Sequence, residues 1–64
     1  MLDTIGWALV KALQDNARLS YAELGRQVGL TAPAVAERMR KLEDAGILTG
    51  YHATVDLAKV GLSI

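Results

Sequence analysis

The chain has no cysteine, a single histidine and a single proline, and its seven basic residues are matched by seven acidic ones. Without cysteine there are no disulfides and no thiolate metal sites, and the redox compartment cannot be read from cysteine usage. His52 has no second His or Cys at metal-ligand spacing, so it reads as a surface residue in a strand or turn. Nucleophilic catalysis needs a Ser, Thr or Lys beside a base, and His52 is the only histidine on offer. No glycine-rich phosphate loop occurs. The adjacent Glu43 and Asp44 splay apart on a helix and read as a solvated face. There is no long apolar run either. The opening MLDTIGWALVKAL lacks a cationic start and is broken by Asp3 and Lys11, so it reads as neither a signal peptide nor a membrane span. A cytoplasmic protein is expected, with neither enzyme activity nor metal nor cofactor in this chain.

What is present is globular in composition, with 52% apolar and 22% charged residues. Sixty-four residues make one domain. A chain this short buries only about 60% of the surface its unfolded form exposes, which leaves no room for a deep catalytic cleft beside the core. The zero net charge argues against a nucleic-acid partner, but its distribution does not. Residues 26–41 carry Arg26, Arg38, Arg40 and Lys41 against Glu37 alone, a net +3, while the flanking segments are acidic.

Leu2, Ile5, Leu9, Ala12 and Leu13 recur at helical spacing after Asp3, a natural N-cap, and predict a first helix over 4–15. Ser20-Tyr21-Ala22-Glu23 is a capping box that opens a short second helix, which Gly29 ends. Only Leu30 separates that glycine from Thr31, which can cap a third helix that carries Pro33 in its first turn. So tight a connection makes the two helices cross steeply, and Gly25 lets their backbones approach. On the third helix, which runs to about Ala45, Val35, Met39 and Leu42 lie within about 40° of one line and form the core stripe. Pro33, Glu37, Arg40 and Lys41 point the other way, and Ala34 and Arg38 flank the stripe. Ile47, Tyr51, Ala53 and Val55 share one parity and predict a strand; the alternative is a tight turn at Thr49-Gly50 giving a minimal wing.

Asp3, Leu9, Leu13, "ARLS", "EL", "VGLT", Pro33, Val35, Arg38, Leu42, "GIL", "GY", Asp56 and Gly61 together resemble the N-terminal domain of the Lrp/AsnC regulators, over residues 2–61. The resemblance implies a mainly α fold, a three-helix winged helix-turn-helix with a short C-terminal β-strand, in a prokaryotic, nucleoid-associated transcription regulator that binds double-stranded DNA. Residues 1–56 are then the DNA-binding domain. Residues 57–64 are a linker toward a C-terminal domain, outside this chain, that binds an amino-acid effector and forms homodimers or higher oligomers. One departure stands out. Where the family has an acidic residue followed by basic ones in the first helix, this chain has Gly6-Trp7-Ala8. Trp7 projects about 200° from Ile5 onto the outer face. It is either a part-exposed surface residue or a contact to a second subunit or domain.

In a helix-turn-helix the second helix of the motif enters the major groove by its N-terminal end, which here carries Ala32, Pro33, Ala34 and Glu37. The alanines and proline can touch thymine methyls, and Glu37 can accept from cytosine N4. Arg38, Lys41 and Arg40 suit phosphates or a guanine, and Ser20, Tyr21, Thr31 and the amides at both helix starts suit phosphates. The structural alternatives are an internal salt bridge for Arg38, a solvated face for Arg40 and packing for Tyr21. Two other readings of the chain remain. The siroheme decarboxylases resemble this family and keep the helix-turn-helix while working as haem-pathway enzymes, so the fold does not prove regulation, and a protein-interaction module would use Trp7 and the apolar tail. Binding by such a module survives high salt, whereas phosphate contacts do not.

Overall fold

The computed structural model describes residues 2–61. Three helices follow in order: α1 over Thr4–Asp15, α2 over Tyr21–Val28 and α3 over Ala32–Asp44. Each begins at a side chain that satisfies an otherwise unpaired amide. An Asp3 carboxylate oxygen accepts from the Gly6 amide at 2.7 Å. The Ser20 hydroxyl accepts from the Glu23 amide at 3.1 Å while the Glu23 carboxylate reaches back to the Ser20 amide, completing the capping box. The Thr31 hydroxyl accepts from the Ala34 amide at 3.3 Å, with Pro33 second in the helix, where no amide is needed. Between α1 and α2 the Asn16 side chain accepts from the Arg18 amide at 3.0 Å, a local turn that competes with helix and ends α1.

The α2–α3 connection is three residues long, Gly29-Leu30-Thr31. Gly29 takes the left-handed conformation, φ 77°, and its amide and that of Leu30 both donate to the Gly25 carbonyl. The chain folds back so closely that a Cβ on Gly25 would lie 2.3 Å from the Leu30 carbonyl oxygen. Gly25 is thus a matter of space, whereas Gly29 is a matter of backbone sign.

Six side chains form the core: Leu9 and Leu13 from α1, Leu24 from α2, and Val35, Met39 and Leu42 from α3. Leu9, Leu24, Val35 and Met39 are each less than 2% exposed. Burial of such a side chain contributes about 1.5–3 kcal/mol. Leu2, Ile5, Leu19, Val28, Leu30 and Leu48 close the edges. Gly6, which costs helix propensity, lies buried under Leu2 and Asp3, and a Cβ there would meet the Leu2 side chain at 2.9 Å.

After α3 the expected strand does not form among the described residues. Gly46 at φ 72° ends the helix, and Ile47 and Leu48 donate to the Leu42 carbonyl. Residues 49–56 then run without regular structure, and neither a strand nor a hairpin wing is present. The physical reason is the lack of a partner, because a strand is held by ladder hydrogen bonds to a neighbour and the described residues hold no second strand. Val55, Leu57 and Val60 are more than half exposed. The Cα radius of gyration is 14.6 Å, against roughly 11 Å for a compact chain of this length. The tail therefore leaves the helical body. Of the expected linker, residues 57–61 make a short exposed turn on the Asp56 side chain. Residues 62–64 lie outside the described residues.

Candidate nucleic acid interface

The expected DNA-reading residues fall into three groups. Pro33, Glu37 and Arg40 are exposed on the outer face of α3, and Ala32 and Ala34 are half-buried beside it. Ser20 and Tyr21 stand at the start of α2, and Thr31 at the start of α3. The third group, Arg38 with Lys41, lies toward α1, where both border a shallow recess with Leu2, Asp3 and Gly6. The cations counted together along the chain are therefore divided in space.

Arg38 is committed. Its Nη1 donates to both Asp3 oxygens, at 2.8 and 2.6 Å, so the residue that caps α1 also holds α3. The internal salt bridge is thus the arrangement adopted. The guanidinium, and after it the Gly6 amide, hold the Asp3 carboxyl below its ordinary range. Because the folded value is depressed, the stabilisation is present above the unfolded carboxylate pKa and lost as pH falls through the folded one. Asp3→Asn keeps a capping acceptor but loses the ion pair. Its thermal unfolding should fall below the parent's near neutral pH, and the gap should close as the pH falls through and below the ordinary carboxylate range. A pH-independent gap would show that the charge of Asp3 does not contribute to the stability.

Arg40 is also engaged. Its Nε and Nη2 donate to the two Glu37 oxygens, a forked pair one turn back, and its Nη1 donates to Asp44 at 2.8 Å, one turn ahead. The Arg40 hydrogen bonds hold the Glu37 carboxyl below its usual range, and Glu37 in turn raises the arginine. By charge alone the Glu37–Arg40–Asp44 group is −1. Lys41 has no carboxylate within ion-pair distance among the described residues.

The hydroxyls differ. That of Ser20 donates to Glu23 as well as capping α2, so both its roles are filled. That of Thr31 accepts from Ala34 and keeps its hydrogen for a ligand. Tyr21 is 44% exposed. Sequence reasoning missed Tyr51, whose hydroxyl donates to the Glu43 carboxylate at 2.9 Å and ties the tail to α3. Partial burial and then that carboxylate push the Tyr51 pKa up to about 12, so it remains a donor at neutral pH. No local signal marks this contact or Asp3–Arg38, whereas the i, i+3 and i, i+4 spacings around Arg40 were there to be read. Trp7 is 62% exposed on α1, as its angular position requires, and His52 is exposed with its ring over Gly50. No described helix is long and apolar enough to cross a membrane.

Residues 2–43 match the AsnC-type helix-turn-helix domain. The chain is 46% identical over 59 residues to the HTH-type transcriptional regulator YezC of Bacillus subtilis, covering 92% of this chain and 42% of that protein. Among solved structures, LrpC of B. subtilis superposes with a TM-score of 0.82 at 43% identity, over 98% of this chain and 45% of LrpC. A transcriptional regulator from Neisseria meningitidis, solved as its L-Met complex, superposes with a TM-score of 0.86 at 35% identity, over 98% of this chain and 41% of that one. The chain thus spans less than half the length of these relatives. With the capped three-helix body, the tight α2–α3 turn and these likenesses in agreement, the chain belongs to the Lrp/AsnC family through an AsnC-type helix-turn-helix domain.

Proposed function

We propose that this chain is the DNA-reading domain of a transcriptional regulator, with α3 entering the major groove of double-stranded DNA and α2 lying across the backbone. The observation that carries the reading is the close α2–α3 turn at Gly25, which sets at the surface a helix whose N-terminal end presents exposed Pro33 and Glu37 beside the half-buried Ala32 and Ala34. Ala32, Pro33 and Ala34 offer apolar contact, Glu37 and Arg40 offer base edges their acceptors and donors, and Thr31 and Lys41 meet phosphates. Tyr21 contributes at the α2 start, where Ser20 acts by capping the helix, and Arg38 acts mainly by holding α3. Residues 1–56 are the reading unit, and 57–64 lead toward a second domain. That domain would bind an amino acid, as the L-Met complex of the Neisseria relative suggests, and assemble the dimer. The activity is binding, not catalysis, at the nucleoid in the cytoplasm.

The test is selection of bound fragments from a random duplex pool at about 150 mM salt, with the chain fused to a neutral dimerising tag. The expected result is an enriched inverted repeat whose half-sites are about 34–36 Å apart, or a multiple of that. Lack of enrichment with the protein folded would turn the reading toward the enzyme-related or interaction alternatives. Lys41→Ala should weaken binding by a similar factor on all sequences and reduce the slope of log affinity against log salt by about 0.9. An unchanged slope would remove Lys41 from the phosphate contacts.

A further inference from the structure

We propose that Glu37 and Asp44 serve as built-in counter-ions for Arg40, so that α3 meets a duplex with its central arginine already occupied and trades sequence-independent phosphate attraction for selectivity. The inference deepens the DNA-reading assignment and rests on it. Arg40 has five N–H donors, and Glu37 and Asp44 take three, one on each guanidinium nitrogen. A lone phosphate must therefore compete with two carboxylates that sit one helical turn away on either side. When the arginine leaves them, they also repel the phosphate.

All three side chains are more than half exposed, so the group is held by surface ion pairs that open readily when something better is offered. The offer has to satisfy both charges. A guanine presents O6 and N7 together to a guanidinium, and the cytosine paired with it presents an N4 amino group to a carboxylate. A G·C pair under this part of α3 can thus receive both Arg40 and the released Glu37. The phosphate backbone can receive only the arginine. Glu37 is therefore the residue that decides where Arg40 is allowed to bind.

The discriminating measurement is fluorescence anisotropy of a labelled random-sequence 24-base-pair duplex pool titrated with the chain, between about 50 and 200 mM NaCl. The double variant Glu37→Gln with Asp44→Asn should bind this pool about five- to tenfold more tightly at low salt. Its salt slope should steepen by about 0.9, the signature of one more cation on phosphate. Glu37→Gln alone should give part of that gain, and adding Arg40→Ala to the double variant should abolish it. The charge-matched control, Asp15→Asn with Asp56→Asn, should gain less than about twofold. A gain that survives the loss of Arg40, or that the control equals, would overturn the proposal in favour of a general charge effect. No gain in the double variant, with the parent binding and Lys41→Ala weaker, would overturn it and leave the DNA-reading assignment intact. No binding by the parent or any variant at 50 mM salt would overturn both.

Discussion

Replacing Gly25 by alanine should destabilise the domain by about 3 kcal/mol, although alanine is the better helix former by about 1 kcal/mol. The new Cβ would sit 2.3 Å from the Leu30 carbonyl oxygen and 3.3 Å from its carbon. These are backbone atoms, and the Gly25 carbonyl fixes them by accepting the Gly29 and Leu30 amides. Relief requires the connection to open, which moves α3 as a whole. A peptide spanning α2 should gain helicity from the same change, so the two measurements should move in opposite directions. At Gly29 a substituted Cβ meets nothing within 4 Å, and only the positive φ opposes it. Alanine there should cost about 1–2 kcal/mol, and asparagine less. Thermal unfolding that ranked Gly29→Ala as the worse of the two would contradict the close approach at the turn.

Leu24→Ala should cost about 2–5 kcal/mol, the range for removing a fully buried leucine side chain. The domain's whole stability is of order 3–10 kcal/mol at about 0.05–0.15 kcal/mol per residue, so this one change should remove a large fraction of it. Leu24 is 0% exposed and is the only α2 side chain in the buried core. α2 has two turns and few other anchors, and a helix that short has no independent stability. Urea titration should show a midpoint shift well beyond that of a surface change such as Gln27→Ala. A shift of less than about 1 kcal/mol would mean that α2 is held by something other than its place in the core.

The helical body was legible because its signals are local. Asp3, Ser20 with Glu23, Gly29 and Thr31 act within four residues of themselves, and each does in the fold what its position implied. The stripe of Val35, Met39 and Leu42 follows from a period that any amphipathic helix obeys. The parity of Ile47, Tyr51, Ala53 and Val55 was equally clear, yet alternation marks only a segment able to join a sheet, and pairing depends on chain elsewhere. The site was less legible for a related reason. Counting Arg38, Arg40 and Lys41 together measures charge along the chain, whereas a ligand meets charge after pairing. Arg38 finds its partner 35 positions away, a separation that no window contains.

That long-range pair also has a direction. A salt bridge between two surface side chains can usually be written either way round, with acid and base exchanged. Asp3 cannot be exchanged, because the same carboxylate must accept the Gly6 amide, and a guanidinium has no lone pair to accept with. The acid belongs at the entrance of α1 and the base on α3, and the mirror-image sequence with Arg at 3 and Asp at 38 would leave both the amide and the helix start without an anion. The two positions are therefore unequal: loss of the arginine removes one contact, whereas loss of the aspartate removes both that contact and the cap of α1.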